Sequence, residues 1–135
     1  MMKPTHLAIA GVASIPLFKY GLVEPIAFGG LMGAIAPDWD IYLGFFGMKH
    51  RTWTHSILAL FLSTLLLIYI NKSLGILWGV SYTTHLIADS FTKMGVPYLY
   101  PFKYKYFGLK KIRSGGAEDM LLCLMVFYLL IELIR

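Results

Sequence analysis

Apolar residues run through this chain in long uninterrupted blocks, and its charges fall between them. Five blocks stand out: 4–18 between Lys3 and Lys19, 25–37 between Glu24 and Asp38, 52–70 between Arg51 and Asn71, 73–88 ahead of Asp89, and a last block that follows Glu118 and Asp119 to the C-terminus. A membrane-spanning helix takes roughly 20 residues at about 1.5 Å each, so 52–70 is the strongest span and 25–37 the shortest. The pattern predicts an all-α, polytopic membrane bundle of about five helices. The short second helix is expected either to tilt or to sink its Asp-bearing end into a polar pocket within the protein. Gly29, Gly30 and Gly33 would let a neighbouring helix approach closely there.

Between the fourth and fifth blocks the period changes. Tyr100, Phe102, Tyr104 and Tyr106 alternate with Lys103 and Lys105, a period of two that predicts a short surface hairpin or loop near 98–113, turning around Gly108. Aromatic plus basic side chains suit the headgroup level of a membrane and attract anionic lipid. Membrane lipids with anionic headgroups are therefore the expected partners. The same composition can stack on and neutralise nucleic acid, but its place beside the spans makes that partner unlikely.

Composition agrees with a lipid solvent. Hydrophobic residues make up 58% of 135 and charged residues 14%, and mean hydropathy is +0.68, outside soluble usage. The length allows one domain, 1–135, with no linker or repeat to divide it. Cys123 is alone, which excludes an intrachain disulfide and a Cys-based zinc knuckle. The opening "MMKPTHLAIAGVAS" has the basic and apolar character of a signal peptide, with Ala13 near a cleavage position. Cleavage would remove His6, and we expect the segment to be retained.

Alternating spans put Lys3, Lys49, Arg51, Lys93, Lys103, Lys105, Lys110, Lys111 and Arg113 on one side, nine of the twelve basic residues, against Lys19, Lys72 and Arg135 on the other. The crowded side is expected to face the cytoplasm. That side also collects the metal-capable residues. His6 opens the first block, Asp38 and Asp40 follow the second, His50 and His55 enter the third, His85 and Asp89 leave the fourth, and Glu118 opens the fifth. Charged groups near a bilayer are costly and mark function, and His with Asp suits zinc or a similar divalent ion. A metal site at the cytoplasmic mouth of the bundle follows.

Each motif alone has a plainer reading. In "HLIAD", His85 and Asp89 stand at i and i+4 and can share an ion, but such a pair more often bonds to itself; Ser81 and Thr92 extend the stripe. In "APDWD", Asp38 can simply cap a turn. In "HRTWTHS", Arg51 and Trp53 suit an interfacial anchor and Thr54 or Ser56 a helix cap, which leaves His55 unexplained.

The order "PDWD", "HRTWTHS", "HLIADSFTKMGVPYLYP" and "SGGAED" resembles the YdjM-like family of membrane-bound proteins, assigned as metal-dependent hydrolases and described as LexA-binding and inner-membrane-associated. The resemblance covers residues 6 to about 119. More distantly the arrangement is similar to the all-helical zinc-dependent phospholipase C group. That likeness implies His6 as an early ligand, Asp38 or Asp40 as the Asp ligand, His55 as the next, and His85 with Asp89 as the HxxxD pair. The group has further histidines after its HxxxD and this chain has none after His85, so one or two ions are implied rather than three, most readily zinc.

The chemistry expected is hydrolysis of a phosphoester of a lipid or other amphiphile. Glu118, or whichever of Asp38 and Asp40 is unligated, would act as base, and Arg51 and His50 would hold an anionic phosphate. The competing class is a non-enzymatic membrane protein whose structural metal supports binding of a cytoplasmic regulatory partner. A histidine-nucleophile lipid phosphatase is weaker still, because its accompanying basic and Ser-Gly-His motifs are missing. Surplus ligands beyond the roughly four a structural site needs favour catalysis.

Overall fold

A computed structural model describes residues 1–47 and 50–135 of the chain. Lys49, counted above among the basic residues of the crowded side, lies outside the described residues. The long helices are α1 (Lys3–Lys19), α3 (Ile57–Ile70), α4 (Lys72–Ser90) and α5 (Ala117–Ile134), with a single turn α2 (Asp40–Leu43) between α1 and α3. The fold is predominantly helical, and the described residues contain isolated bridges rather than strands.

Local chemistry sets the ends. Pro4 in the first turn of α1 gives up an N–H that has no helical partner anyway, and Lys19 complements the last turn. Ser56 caps α3 by accepting from the Ala59 N–H, and Asn71 caps α4 by accepting from Leu74. Asn71 is also the entire link between the two helices.

The expected second helix is instead a ten-residue 3₁₀ coil, Pro25–Ala34, far longer than such coils usually run. It lies along α4 at a distance only glycine permits: a Cβ on Gly33 would fall 2.6 Å from the Trp78 carbonyl oxygen, and one on Gly30 2.7 Å from the Trp78 nitrogen. Close packing at these glycines agrees with the sequence reading. The α-helical form does not.

Five spanning helices is also corrected: among the described residues, no helix is long and apolar enough to cross a membrane. The 52–70 block loses its first residues to a 3₁₀ turn, Trp53–His55, because His55 is drawn inward, and α3 is left with 14 residues. The α5 helix carries Glu118, Asp119 and Glu132 within its 18.

Helix α4 is the axis. It packs against the 3₁₀ coil, α3 and α1, and α1 in turn packs on α5. One small apolar cluster joins Val23, Ala27 and Leu77, and a second joins Tyr82, Leu86 and Val96. The 93–116 segment is a loop, as one of the two expected forms allowed. Its aromatic alternation forms turns rather than a hairpin around Gly108: Val96 and Phe107 close the loop by mutual backbone bonds of 2.8 and 2.9 Å. Gly108 (φ 143°) lies against the end of α4, where a Cβ would meet the Ser90 carbonyl oxygen at 2.2 Å.

Candidate metal centre

Four buried side chains from three parts of the chain point at one spot. Asp38 comes from the 3₁₀ turn Ala36–Trp39, whose direction Pro37 helps to fix. His55 ends the turn before α3, and His85 with Asp89 fill one face of α4. A ligand atom from each lies within 4.8 Å of all the others. The His55 and His85 Nε2 atoms are 3.2 Å apart, and each is 3.8 Å from Asp38 Oδ1. From Asp89 Oδ2 they are 3.5 and 3.7 Å.

Backbone and carboxylate partners decide which nitrogen faces the spot. His85 Nδ1 is 2.7 Å from the Ala34 carbonyl, which can only accept, so Nδ1 carries the proton and Nε2 presents a lone pair. His55 Nδ1 is 3.4 Å from Asp40 Oδ2 and 3.1 Å from Thr54 Oγ1, an arrangement that likewise turns Nε2 inward. At 3.2 Å the two Nε2 atoms share either a proton, donated by His55 to His85, or a metal cation that both ligate. Edges near 3.5 Å are what four N/O donors adopt around an ion held at about 2.0–2.1 Å. The donor set therefore fits a divalent ion of the zinc type, and the group Asp38, His55, His85 and Asp89 can hold one.

Asp40 stands behind this set. Its carboxylate accepts from the Arg51 N–H at 2.8 Å and the Thr54 hydroxyl at 2.7 Å, and Oδ1 is 2.6 Å from His50 Nδ1. These bonds engage both Asp40 oxygens and set the carboxylate against the Nδ1 side of His55. Burial pushes its carboxyl pKa up, but hydrogen bonds from His50, His55 and Thr54 outweigh that and hold it well below the usual carboxylate range. Asp89 behaves alike: burial raises it, and His55, His6 and the Arg51 guanidinium together bring it far below.

Arg51 is buried, not poised at a surface. Its backbone is left-handed (φ 59°), which costs about 1–3 kcal/mol for a non-glycine residue. That turn lets its N–H reach Asp40 while Nη2 pairs with Asp89 Oδ2 at 2.7 Å. Nη1 bonds Thr92 Oγ1 at 2.8 Å and the Gly95 carbonyl at 3.1 Å, and Tyr106 donates to the Arg51 carbonyl. His50 is about a third exposed, at 32% of its side chain.

His6 is fully buried and stacks on His85 with ring centroids 3.8 Å apart. Its Nε2 is 3.3 Å from Asp89 Oδ1, and neither ring nitrogen makes a hydrogen bond. The Met1 amino group also bonds Asp89 Oδ1. The structure thus gathers His6, Asp38, Asp40, His50, Arg51, His55, His85 and Asp89 into one connected cluster. Glu118 it leaves exposed at the start of α5, with its carboxylate over the Gly116 turn.

The buried acid of that turn is Asp119, which accepts from Met2 N, Thr5 Oγ1 and Gly115 N at 2.8, 2.8 and 2.9 Å. It ties the start of α1 to α5. The adjacency of Thr5 to His6 is the nearest thing to a signal for this tie. The Ala34 and Gly95 carbonyls have none, since any residue supplies a carbonyl.

A family model described as YdjM inner membrane protein matches residues 1–135. No curated protein and no solved structure matches the chain.

Proposed function

This chain belongs to the YdjM inner membrane protein family, and on that footing we propose that it is a metal-dependent hydrolase acting on a phosphoester of a lipid or other amphiphile. The proposed setting is the inner membrane, with the chain multi-pass and the site at the cytoplasmic face. What carries the reading is the convergence of Asp38, His55, His85 and Asp89, with further acid and base groups to spare beside them. A bound divalent ion would supply Lewis acidity, polarising a phosphoryl oxygen and making water acidic enough to attack at neutral pH.

The chain's own groups do the rest. Asp40 fixes the His55 ring through Nδ1. His50, hydrogen-bonded to Asp40 and partly exposed, is placed to pass a proton between the cluster and water. Arg51 neutralises Asp89 and offers a guanidinium beside the ligand set. Glu118 remains the alternative base, one that would have to act from the exposed start of α5.

One observation favours a structural metal with a cytoplasmic regulatory partner: all four ligands are buried, as in closed structural sites. Metal analysis of the purified protein, followed by turnover assays on a panel of phosphoesters, separates the two. Stoichiometric metal with turnover, lost in His50→Gln or Glu118→Gln, supports the hydrolase and identifies its base. Stoichiometric metal without turnover on any ester selects the structural role.

A further inference from the structure

We infer that the groove between α1, α4 and α5 is the seat of the acyl chain of an anionic, chain-bearing substrate whose phosphate head reaches the metal centre. This rests on the hydrolytic reading above and adds where the tail lies. The groove, about 330 Å³, is lined by Ile9, Ile87, Ala88, Phe91, Ile112 and Leu122. That is the low end of the range for ligand cavities, roughly 300–1,000 Å³, and it suits one chain rather than two.

Three observations commit the groove to this occupant. It adjoins the centre: Met1 lines it and bonds Asp89, while Thr84 and Ala88, also in its wall, directly precede His85 and Asp89 on the same helix. It is apolar throughout, since the hydroxyl of Thr84 is spent on the Ser81 carbonyl and only its methyl is free. Basic residues outnumber acids beside its Ile112 end. Ile112 sits between exposed Lys111 and Arg113, and the bond from Lys93 N to the Ile112 carbonyl brings a third cation to the same edge. Exposed Glu118, beside Arg113 at the Gly116 turn, offsets one of the three and leaves that edge net basic. An apolar trough with a cationic edge selects a chain carrying a negative head over a neutral one.

The test uses two photo-crosslinking probes with the same alkyl chain, a diazirine at its tail, and different heads: a phosphonate, which cannot be hydrolysed, and a neutral polyol. The full chain is held in phosphatidylcholine nanodiscs and labelled positions are mapped by mass spectrometry. The phosphonate probe is expected to label Ile87, Phe91 or Leu122 at least fivefold more than the neutral probe. That preference should vanish in the double variant Lys111→Gln, Arg113→Gln. Leu122→Trp should block groove labelling while metal content stays unchanged, which shows the variant is folded; Ile9→Trp is a second way to fill the same space.

Equal labelling by both heads would overturn the inference. So would labels concentrated at Phe61 and Ile76 in the α3–α4 groove, or spread over the outer faces of α3 and α5 as for ordinary surrounding lipid. The two readings fail separately: groove labelling without turnover of any phosphoester leaves the tail seat standing and removes hydrolysis, and turnover without groove labelling does the reverse.

Discussion

Helices α3 and α4 are neighbours joined by one residue, yet they treat their side chains in opposite ways. The more apolar, α3, has no buried residue, and Phe61, Leu62, Leu65 and Leu66 face outward. Helix α4, interrupted by Ser81, Thr84, His85 and Asp89, buries eight residues, among them Ser81, His85 and Asp89. In a water-soluble protein greasy segments go inside and polar ones outside; here the order is inverted. Two of the buried polar groups on α4, His85 and Asp89, are held by partners from other parts of the chain, the Ala34 carbonyl and the Arg51 guanidinium, which offsets the cost of taking them out of solvent.

The comparison is broken most severely at Asp89. Asp89→Ala removes a ligand and strands the buried Arg51 guanidinium, so it should cost about 3–5 kcal/mol of stability and abolish stoichiometric metal, as read by denaturant unfolding and elemental analysis. Gly33→Val comes next. Its side chain would start 2.6 Å from the Trp78 carbonyl oxygen, and the resulting displacement should cost on the order of 3 kcal/mol. Because the adjacent Ala34 carbonyl holds His85 Nδ1, metal affinity should fall as well, and a metal isotherm checks that coupling.

Asp40→Asn is milder. It loosens His55 without deleting a ligand, and affinity should drop about 10- to 100-fold while the fold persists. The sign of its pH dependence is fixed by a depressed carboxyl. The stability Asp40 contributes is fully present above the ordinary carboxylate value near 4 and is lost as pH falls from there towards its lowered folded value. Asp40 also holds the His55 pKa up, and that part is gained as pH falls through the ordinary histidine value near 6.5. The difference in unfolding free energy between wild type and Asp40→Asn should therefore not fall between pH 7 and about 5, and should shrink below about 4. A difference that persists undiminished well below pH 4 would contradict the assignment.

The smallest effect belongs to the outside of α3. Leu66→Ser in detergent should change stability by no more than about 0.5 kcal/mol and leave metal content untouched. A loss comparable with that of Gly33→Val would show that α3 packs against something after all.

What the sequence revealed and what it hid divide along the same line. The candidate ligands were legible because ionisable residues are rare in apolar blocks: His55 and His85 lie within theirs, and Asp38 and Asp89 bound theirs. The glycines of 25–37 announced a close approach, and the aromatic and basic run announced a surface loop. Coil type was not legible, because an α-helix and a 3₁₀ coil bury similar apolar patterns. Nor was the division between ligand and support. Asp38 and Asp40 are two residues apart with the same side chain, and only the bonds from Arg51 N, Thr54 and His50 assign Asp40 to the second role. Nor was it legible which of the adjacent acids Glu118 and Asp119 is buried: Asp119 is, held by Thr5 and Met2.

The one-residue link at Asn71 bears on how the centre is assembled. His55 and His85 sit near the open ends of a helical hairpin, so closing that hairpin, with Gly75 pressed against Ile68, brings the two imidazoles near each other, and Ala34 and Asp40 then fix their rings. Short closures of this kind carry little entropic cost and form early. Asp119 and α5, which tie to Met2 and Thr5 of the chain start, are not needed for that closure.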